Sequence, residues 1–111
     1  MAVTSTQTPS DGVARVATGR YLTSSTAAAI EIACGFTPKF VSVLNMTSGD
    51  SYQWMEGMAD ASALKQVAAG TSSIITTLGI TPSISTGQGF TIGLDLDVNV
   101  INEQLSWLAI G

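Results

Sequence analysis

The chain has 111 residues and a mass of 11.4 kDa, which is enough for one domain with a modest core. Charged residues make up 11% of the sequence and the net charge is −4, whereas average domains contain roughly 25% charged residues. The four basic residues are scattered rather than clustered: Arg15, Arg20, Lys39 and Lys65. Without concentrated positive charge, binding to nucleic acid or to an anionic membrane surface is not expected.

Low charge also constrains the surface. The hydrophobic fraction is 45% and the mean hydropathy is +0.36, yet no apolar run approaches the ~18–20 residues of a membrane-spanning helix. The surface must therefore consist mainly of Ser, Thr, Gly and Ala. Because surface charge is what usually keeps monomers apart, we favour a subunit buried against neighbours over a soluble monomer.

The single cysteine excludes an internal disulfide. Cys34 lies on the apolar side of a strand-like run and is expected to act as a small buried hydrophobe. The N-terminus lacks the basic and apolar regions of a secretory signal. We therefore expect the protein to be made and kept in a reducing compartment unless it leaves as part of a particle.

The N-terminal third is predicted to contain an arm and two strands. Residues 1–12 are rich in Ser and Thr and predict an extended arm, followed by one β domain at 13–111. A first strand is expected from Val13 to about Tyr21, broken by Gly19. A second is expected from Thr26 to Cys34, with Glu31 on its outward face.

The next elements form a predicted hairpin. After a turn at 35–39, Phe40–Thr47 and Ser51–Glu56 read as two strands joined by a short turn in which Asp50 is a turn former. The Ala-rich stretch that follows predicts either a short helix or an excursion loop near residues 58–67. A fifth strand is predicted at Thr71–Ile80, followed by a loop at 81–88.

The clearest pattern lies near the C-terminus. Apolar residues occupy every even position from Phe90 to Val100, which is the period of a strand with one buried face. The terminal run Leu105–Ile110 predicts the last core strand, and we expect the domain to end with it. The connection between them is expected around Asp97–Glu103, which places part of the alternation in a turn. The predicted fold is all-β: a single antiparallel β-sandwich or jelly-roll-like barrel of about six to eight strands.

Catalysis finds little support in the sequence. The chain contains no histidine, so the usual general base near neutral pH is missing, and no nucleotide-binding or hydrolase motif occurs. A Ser–Lys pair around Lys39 or Lys65 is the one catalytic alternative that stays open. We predict that the protein is not an enzyme and assign no catalytic, cofactor-binding or metal residues.

One spacing is typical of cation ligands. Asp95, Asp97 and Asn99 place three oxygen donors on one side of an extended segment, but a calcium site needs about six to eight oxygens. The positions where an EF-hand requires glycine and glutamate hold Val100 and Ser106. A solvated strand edge that runs into an Asx-turn is the favoured interpretation, and cation binding stays an open alternative.

Two tryptophans fall within strand patterns. Trp54 and Trp107 are each expected to pack in the core, more securely for Trp107, with sugar stacking as the alternative. Met55 and Met58 are adaptable apolar residues suited to a subunit interface.

Several segments together carry a resemblance to a known family. They are Gly35-Phe36-Thr37-Pro38-Lys39-Phe40-Val41 with Asn45 and Thr47-Ser48-Gly49-Asp50, Trp54-x-Glu56-Gly57-Met58, Gly89-Phe90-Thr91-Ile92-Gly93, Asp97-Val98-Asn99 and Trp107-x-Ala109. Over residues 26–110 the chain resembles small β-rich virion structural proteins of tailed bacteriophages, of the capsid decoration or minor capsid type.

The resemblance implies a function and partners. It implies a capsid decoration (cement) or minor capsid protein that is synthesised in the host cytoplasm. Such a protein binds the major capsid protein at the virion surface as a homo-oligomer, often a trimer. The alternative is a tail-fibre or appendage domain that recognises host surface polysaccharide, for which an exposed Trp54 or Tyr52 is expected. A third alternative is an enzyme or a metal-dependent module, for which Asp95, Asp97 and Asn99 are the candidate metal ligands.

Overall fold

A computed structural model describes residues 15–111. The arm predicted for residues 1–12 lies outside the described residues. Within 15–111 the chain forms eight strands and no helix. They are β1 (Val16–Leu22), β2 (Ile30–Ala33), β3 (Phe40–Asn45), β4 (Ser51–Met55), β5 (Ser62–Gln66), β6 (Ser72–Thr81), β7 (Gly89–Ile92) and β8 (Gln104–Ile110).

All eight strands belong to one antiparallel sheet with the order β1-β8-β3-β4-β5-β6-β7-β2. The sheet is strongly curled. Phe90 on β7 and Trp107 on β8 meet edge to face with ring centroids 5.4 Å apart, although four strands separate β7 from β8 in the sheet. The sheet is therefore a curled half-barrel, and its concave side encloses the core.

The core follows from strand alternation. Val41, Val43, Tyr52 and Trp54 are buried on the hairpin, while the residues between them point outward. The hairpin register pairs Val41 with Trp54 and Val43 with Tyr52, so apolar partners face each other across the strands.

The predicted hairpin is confirmed, with both strands ending one or two residues earlier than expected. Asp50 holds its turn: its backbone carbonyl accepts from the amide of Asn45, and its carboxylate accepts from the amide of Ala68 at 2.7 Å.

The helix alternative for residues 58–67 is wrong. Residues 62–66 form β5, which is hydrogen-bonded to β4 on one side and to β6 on the other. The part that leaves the sheet is confined to 57–61, where Ala61 has a φ of 63°. Helix-forming residues adopt a strand here because both neighbouring strands offer backbone partners, and such tertiary contacts override local preference.

A bulge bends the sheet at β6. Ala63 pairs with Ile75, but the residue before it, Ser62, pairs with Ile80. Residues 76–79 therefore have no counterpart on β5. Leu78 takes a φ of 62° within the bulge, and a Cβ on Gly79 would lie 2.5 Å from the Ser62 carbonyl oxygen. Bulges of this kind increase local twist. This one lets β6 turn from β5 towards β7.

Other predicted strands differ from the structure at their ends. β1 passes through Gly19 without a break because the Trp107 indole covers that position: a Cβ there would lie 2.6 Å from Trp107 Cζ2. β2 is shorter than predicted and begins only at Ile30, with Glu31 exposed as expected.

The alternating segment from Gly89 to Val100 is a strand only as far as Ile92. At Gly93 the chain approaches the backbone of Leu78, and a Cβ would lie 2.4 Å from the Leu78 carbonyl carbon. Beyond it, the amides of Val98 and Asn99 both donate to the carbonyl of Asp95. The chain therefore turns inward, and Val98 is buried by a turn rather than by a strand.

Gly93 tests this close approach. We expect Gly93→Ala to lower the free energy of unfolding by about 1–3 kcal/mol, because backbone atoms on β6 must move to accept the methyl group. Leu96→Ala is the control, since Leu96 is 74% exposed and surface truncations usually cost less than about 0.5 kcal/mol. Urea unfolding of both variants measures the difference; equal stability would contradict the packing described for Gly93.

Candidate functional site

The convex face of the sheet carries little charge. Across β1, β8, β3, β4, β5 and β6, the outward ladder positions are Val16, Thr18, Arg20, Leu22, Gln104, Ser106, Leu108, Ile110, Phe40, Ser42, Leu44, Ser51, Gln53, Met55, Leu64, Gln66, Ser72 and Ile74. Arg20 is the one charged residue in this set. We call this surface the outer face.

Four apolar side chains form a continuous row on the outer face. The strand registers place Val16 opposite Ile110, Ile110 opposite Phe40 and Phe40 opposite Met55. Val16 is 59% exposed, Met55 51% and Ile110 36%. The row crosses four strands, a width of roughly 15 Å at the usual strand spacing. An exposed row of this kind, without charges, is typical of a contact surface.

A second feature lies on the concave side. Lys65 on β5 reaches the β7–β8 connection, where its Nζ lies 2.9 Å from Asp95 Oδ1 and 2.5 Å from Asp97 Oδ2. The side chains of Lys65 and Asp95 are each only 15% exposed, whereas that of Asp97 is 52% exposed. The hydrogen bond to Asp97 raises the pKa of Lys65 above its usual value, and the contact with Asp95 acts in the same direction.

This cluster bears on two alternatives left open by the sequence: cation binding by Asp95, Asp97 and Asn99, and a Ser–Lys pair at Lys65. The carboxylates of Asp95 and Asp97 bind the Lys65 ammonium group, and the Asn99 side-chain amide donates to the carbonyls of Ala28 and Gly93. The three predicted donors therefore do not converge on one point. A lysine with a raised pKa stays protonated, so Lys65 lacks the free amine that a general base needs.

Tyr52 lies beside this cluster. Its ring is fully buried, and its hydroxyl donates to the carbonyl of Leu78 at 3.0 Å. Burial raises the pKa of Tyr52 strongly, and the negative charges of Asp95 and Asp97 raise it further. The phenol is therefore held neutral as a hydrogen-bond donor to the β6 bulge.

Buried polar side chains fix the remainder of the β7–β8 connection. Asn45, fully buried at the end of β3, donates from Nδ2 to the carbonyl of Val98 and to Glu103 Oε1, while its Oδ1 accepts two amides of the β3–β4 turn. Thr23 donates to the carbonyl of Val100 and accepts from the amide of Glu103. Sequence reasoning gave neither residue this role, because the β7–β8 carbonyls that they bind are distant in the chain.

The aromatic, methionine and cysteine residues have distinct environments. Trp54 is 4% exposed and donates from Nε1 to the carbonyl of Ala59, whereas Trp107 is only half-buried. The order of burial expected for the two tryptophans is thus reversed.

Met55, one of the two methionines expected at a subunit interface, is exposed, and Met58, the other, is half-buried. Cys34 is half-buried and donates from Sγ to the carbonyl of Phe36 at 3.2 Å.

A small cavity lies between the 23–30 loop and the β7–β8 connection, lined among others by Tyr21, Thr23 and Asn99. Its volume is about 40 Å³, room for only a few water molecules, whereas small-molecule sites usually measure several hundred Å³.

Comparison with protein-family models, with curated proteins and with solved structures finds no match to this chain. Among residues 15–111 no helix is long and apolar enough to cross a membrane. The same residues contain no group of three or more acidic, cysteine or histidine side chains arranged to hold a metal ion. The candidate functional surfaces are the outer face and the edges of the sheet.

Removing the ammonium group of Lys65 should destabilise the fold. In Lys65→Met the mostly buried Asp95 carboxylate loses its partner, and we expect a loss of about 1–2 kcal/mol in the free energy of unfolding. Lys39→Met is the matched control at an exposed position, with an expected change below about 0.5 kcal/mol. Denaturant titration of both variants measures the effect, and equal losses would contradict a specific role for Lys65.

Stability should fall at alkaline pH. A tyrosine in the unfolded chain ionises near pH 10, whereas folded Tyr52 keeps its proton, so the unfolded state releases more protons above that pH. The raised pKa of Lys65 acts in the same direction. Stability from both groups is fully present below about pH 10 and is lost as the pH rises further.

Tyrosinate absorbance can follow this transition. In Tyr21→Phe, Tyr52 is the only tyrosine, and its absorbance near 295 nm should rise together with the loss of β-sheet circular dichroism. Tyr52→Phe should show a weaker dependence of the melting temperature on pH above about pH 10. Reversible ionisation of Tyr52 near pH 10 in the folded protein would contradict its burial.

Proposed function

We propose that this protein is a structural component of a bacteriophage virion, most specifically a capsid decoration (cement) or minor capsid protein that binds and stabilises the assembled shell. Its main partner is then the major capsid protein, and its location is the capsid surface. The observation that carries the proposal is the apolar row of the outer face. The resemblance of residues 26–110 to small virion structural proteins supports the same function.

The physical case depends on what the outer face is suited to contact. The row of Val16, Ile110, Phe40 and Met55 leaves apolar area in water, and covering it is favourable by about 25 cal/mol per Å². Arg20 is the one charge on this face, so little charged surface loses its hydration when the face is covered. A surface repeated across a shell also gains from effective concentration, so a modest contact for each copy suffices.

The polysaccharide-binding alternative receives less support. It depended on an exposed Trp54 or Tyr52 as a stacking platform, and both rings are buried with their polar atoms bonded to backbone carbonyls. A ring with no exposed face does not stack on a sugar. The burial of both rings therefore favours the capsid function over sugar recognition.

We also propose that the curled sheet is a jelly-roll-like barrel. The pairs β1–β8, β2–β7 and β4–β5 are those of a long hairpin wound around a core. The strand β3 departs from that pattern, since it pairs with β4 and β8 and not with β6. The strand pairing alone establishes only the curled antiparallel sheet.

The number of copies per particle tests the function. In purified virions of the phage that encodes the chain, quantitative mass spectrometry should find on the order of hundreds of copies, as repetition over a shell requires. A few copies per particle would favour the tail appendage instead, and absence of the protein from the particle would refute a virion function.

The outer face can be tested separately. We expect Met55→Asp to reduce occupancy on shells at least tenfold, because a carboxylate placed in the apolar row must be desolvated on binding. Leu96→Asp is the control, with the same change at a position that is 74% exposed and outside the outer face. Binding to shells stripped of the protein, read by co-sedimentation, measures both variants. Equal occupancy would contradict the assignment of the contact to this face.

A further inference from the structure

The two edges of the sheet differ in how well they are protected. β1 pairs with β8 through seven consecutive residues without a register shift, and no strand within residues 15–111 pairs with its other side. It carries Val16 at one end and Leu22 at the other, 59% and 63% exposed. A long, regular edge strand with exposed apolar residues is a template for pairing with another strand.

The opposite edge lacks these properties. β2 has four residues, Ile30–Ala33, and its outward Glu31 carboxylate accepts hydrogen bonds from the backbone amide and hydroxyl of Ser85. A short strand with a charged side chain is a common way to block edge pairing. The difference indicates that β1 is the edge available for pairing.

The hydrogen-bonding groups of β1 can be assigned a direction. Gly111 donates to the carbonyl of Arg15, and Thr23 donates to the carbonyl of Glu103, so the odd-numbered residues direct their backbone groups towards β8. In antiparallel pairing the direction alternates along a strand. The amides and carbonyls of Val16, Thr18, Arg20 and Leu22 therefore point away from the sheet.

We propose that β1 pairs with β1 of a second copy of this chain, antiparallel and about a two-fold axis at Gly19. In this register Val16 lies opposite the partner's Leu22, and Thr18 lies opposite the partner's Arg20. Each of these residues exchanges both of its backbone hydrogen bonds with its opposite residue, because all four direct their groups outward. The two sheets become one, and the outer faces of the two copies form a continuous surface.

The sequence of β1 favours this register over its neighbours. Opposite side chains in an antiparallel pair lie on the same face. Val16 and Leu22, the two most exposed apolar residues of β1, therefore each pack against the other residue of the partner copy, at both ends of the paired strands. A shift by two residues places Arg20 opposite itself, with like charges in contact, or places Val16 opposite Arg20. A shift by one residue mismatches the outward-directed backbone groups.

This pairing concerns contacts between copies and does not depend on the proposed function. It is measured on the purified full-length protein without any virion component. The expected species is a dimer of twice 11.4 kDa in light scattering after gel filtration, with dissociation on dilution. A monomer at every concentration, or a trimer, overturns the proposal.

Thr18 provides a test that acts on backbone hydrogen bonds. Its amide points away from β8, so Thr18→Pro removes a donor needed by the partner and leaves the β1–β8 ladder intact; proline is tolerated on edge strands at such positions. Because the axis relates two copies, two intermolecular hydrogen bonds are lost per dimer, and we expect dimerisation to weaken at least tenfold. Thr18→Ala, which keeps the amide, should dimerise like the unmodified protein.

Leu22 provides a second test that acts on side chains. Leu22→Lys places a charge against the partner's Val16 and should weaken dimerisation at least tenfold. Ile74→Lys is the matched control: Ile74 is also 63% exposed, but it lies on β6, away from the β1 edge. Circular dichroism verifies the fold of each variant. A dimer that withstands both Thr18→Pro and Leu22→Lys, or one weakened equally by Ile74→Lys, places the contact elsewhere and refutes the pairing.

Discussion

The curled shape of this sheet depends on how the connection between β7 and β8 is held on its concave side. Val98 fills part of the core from within that connection, although no strand pairing holds it there. Side chains from the sheet hold the segment instead: Lys65 binds Asp95 and Asp97, and Asn45 binds the carbonyl of Val98. Because an unpaired buried polar group is costly, these contacts specify one position for the segment and, with it, the approach of β7 towards β8.

The elements that the sequence predicts correctly are those whose pattern is complete within a few residues. The hairpin of Phe40–Asn45 and Ser51–Met55 has alternating apolar positions and a Gly-Asp turn, so period and turn chemistry agree. β8 follows from a short apolar run, Leu105–Ile110, which the strand covers completely. β5 was not predicted because its local composition favours a helix, and the contacts that make it a strand come from β4 and β6. Those contacts act across the sheet and leave no local signal.

The segment after Gly89 shows a different limit of pattern reasoning. Alternation runs from Phe90 to Val100, yet the strand ends at Ile92 and the later apolar residues divide between core and solvent: Val98 is fully buried and Leu96 is 74% exposed. A turn built on Asp95 reproduces a period of two without strand geometry. The ion partner of Asp95 lies 30 residues earlier in the chain, so the lysine that binds both carboxylates was not identifiable from spacing.

The exposed apolar surface is of two kinds, the row on the outer face and the β1 edge, and few charged side chains lie near either of them. Lys65 and Asp95, among the few charges in the sequence, are turned towards the concave side, while Arg20 alone lies on the outer face. The outer face is therefore less charged than the composition of the chain indicates. The apolar row needs a complementary surface that covers its side chains. The β1 edge, from Val16 to Leu22, also presents backbone amides and carbonyls that pair with no strand of residues 15–111, and another strand is what satisfies such groups well. One contact cannot meet both requirements. A chain that joins copies through β1 and covers the outer face with a different partner meets each of them with the chemistry that its surface offers.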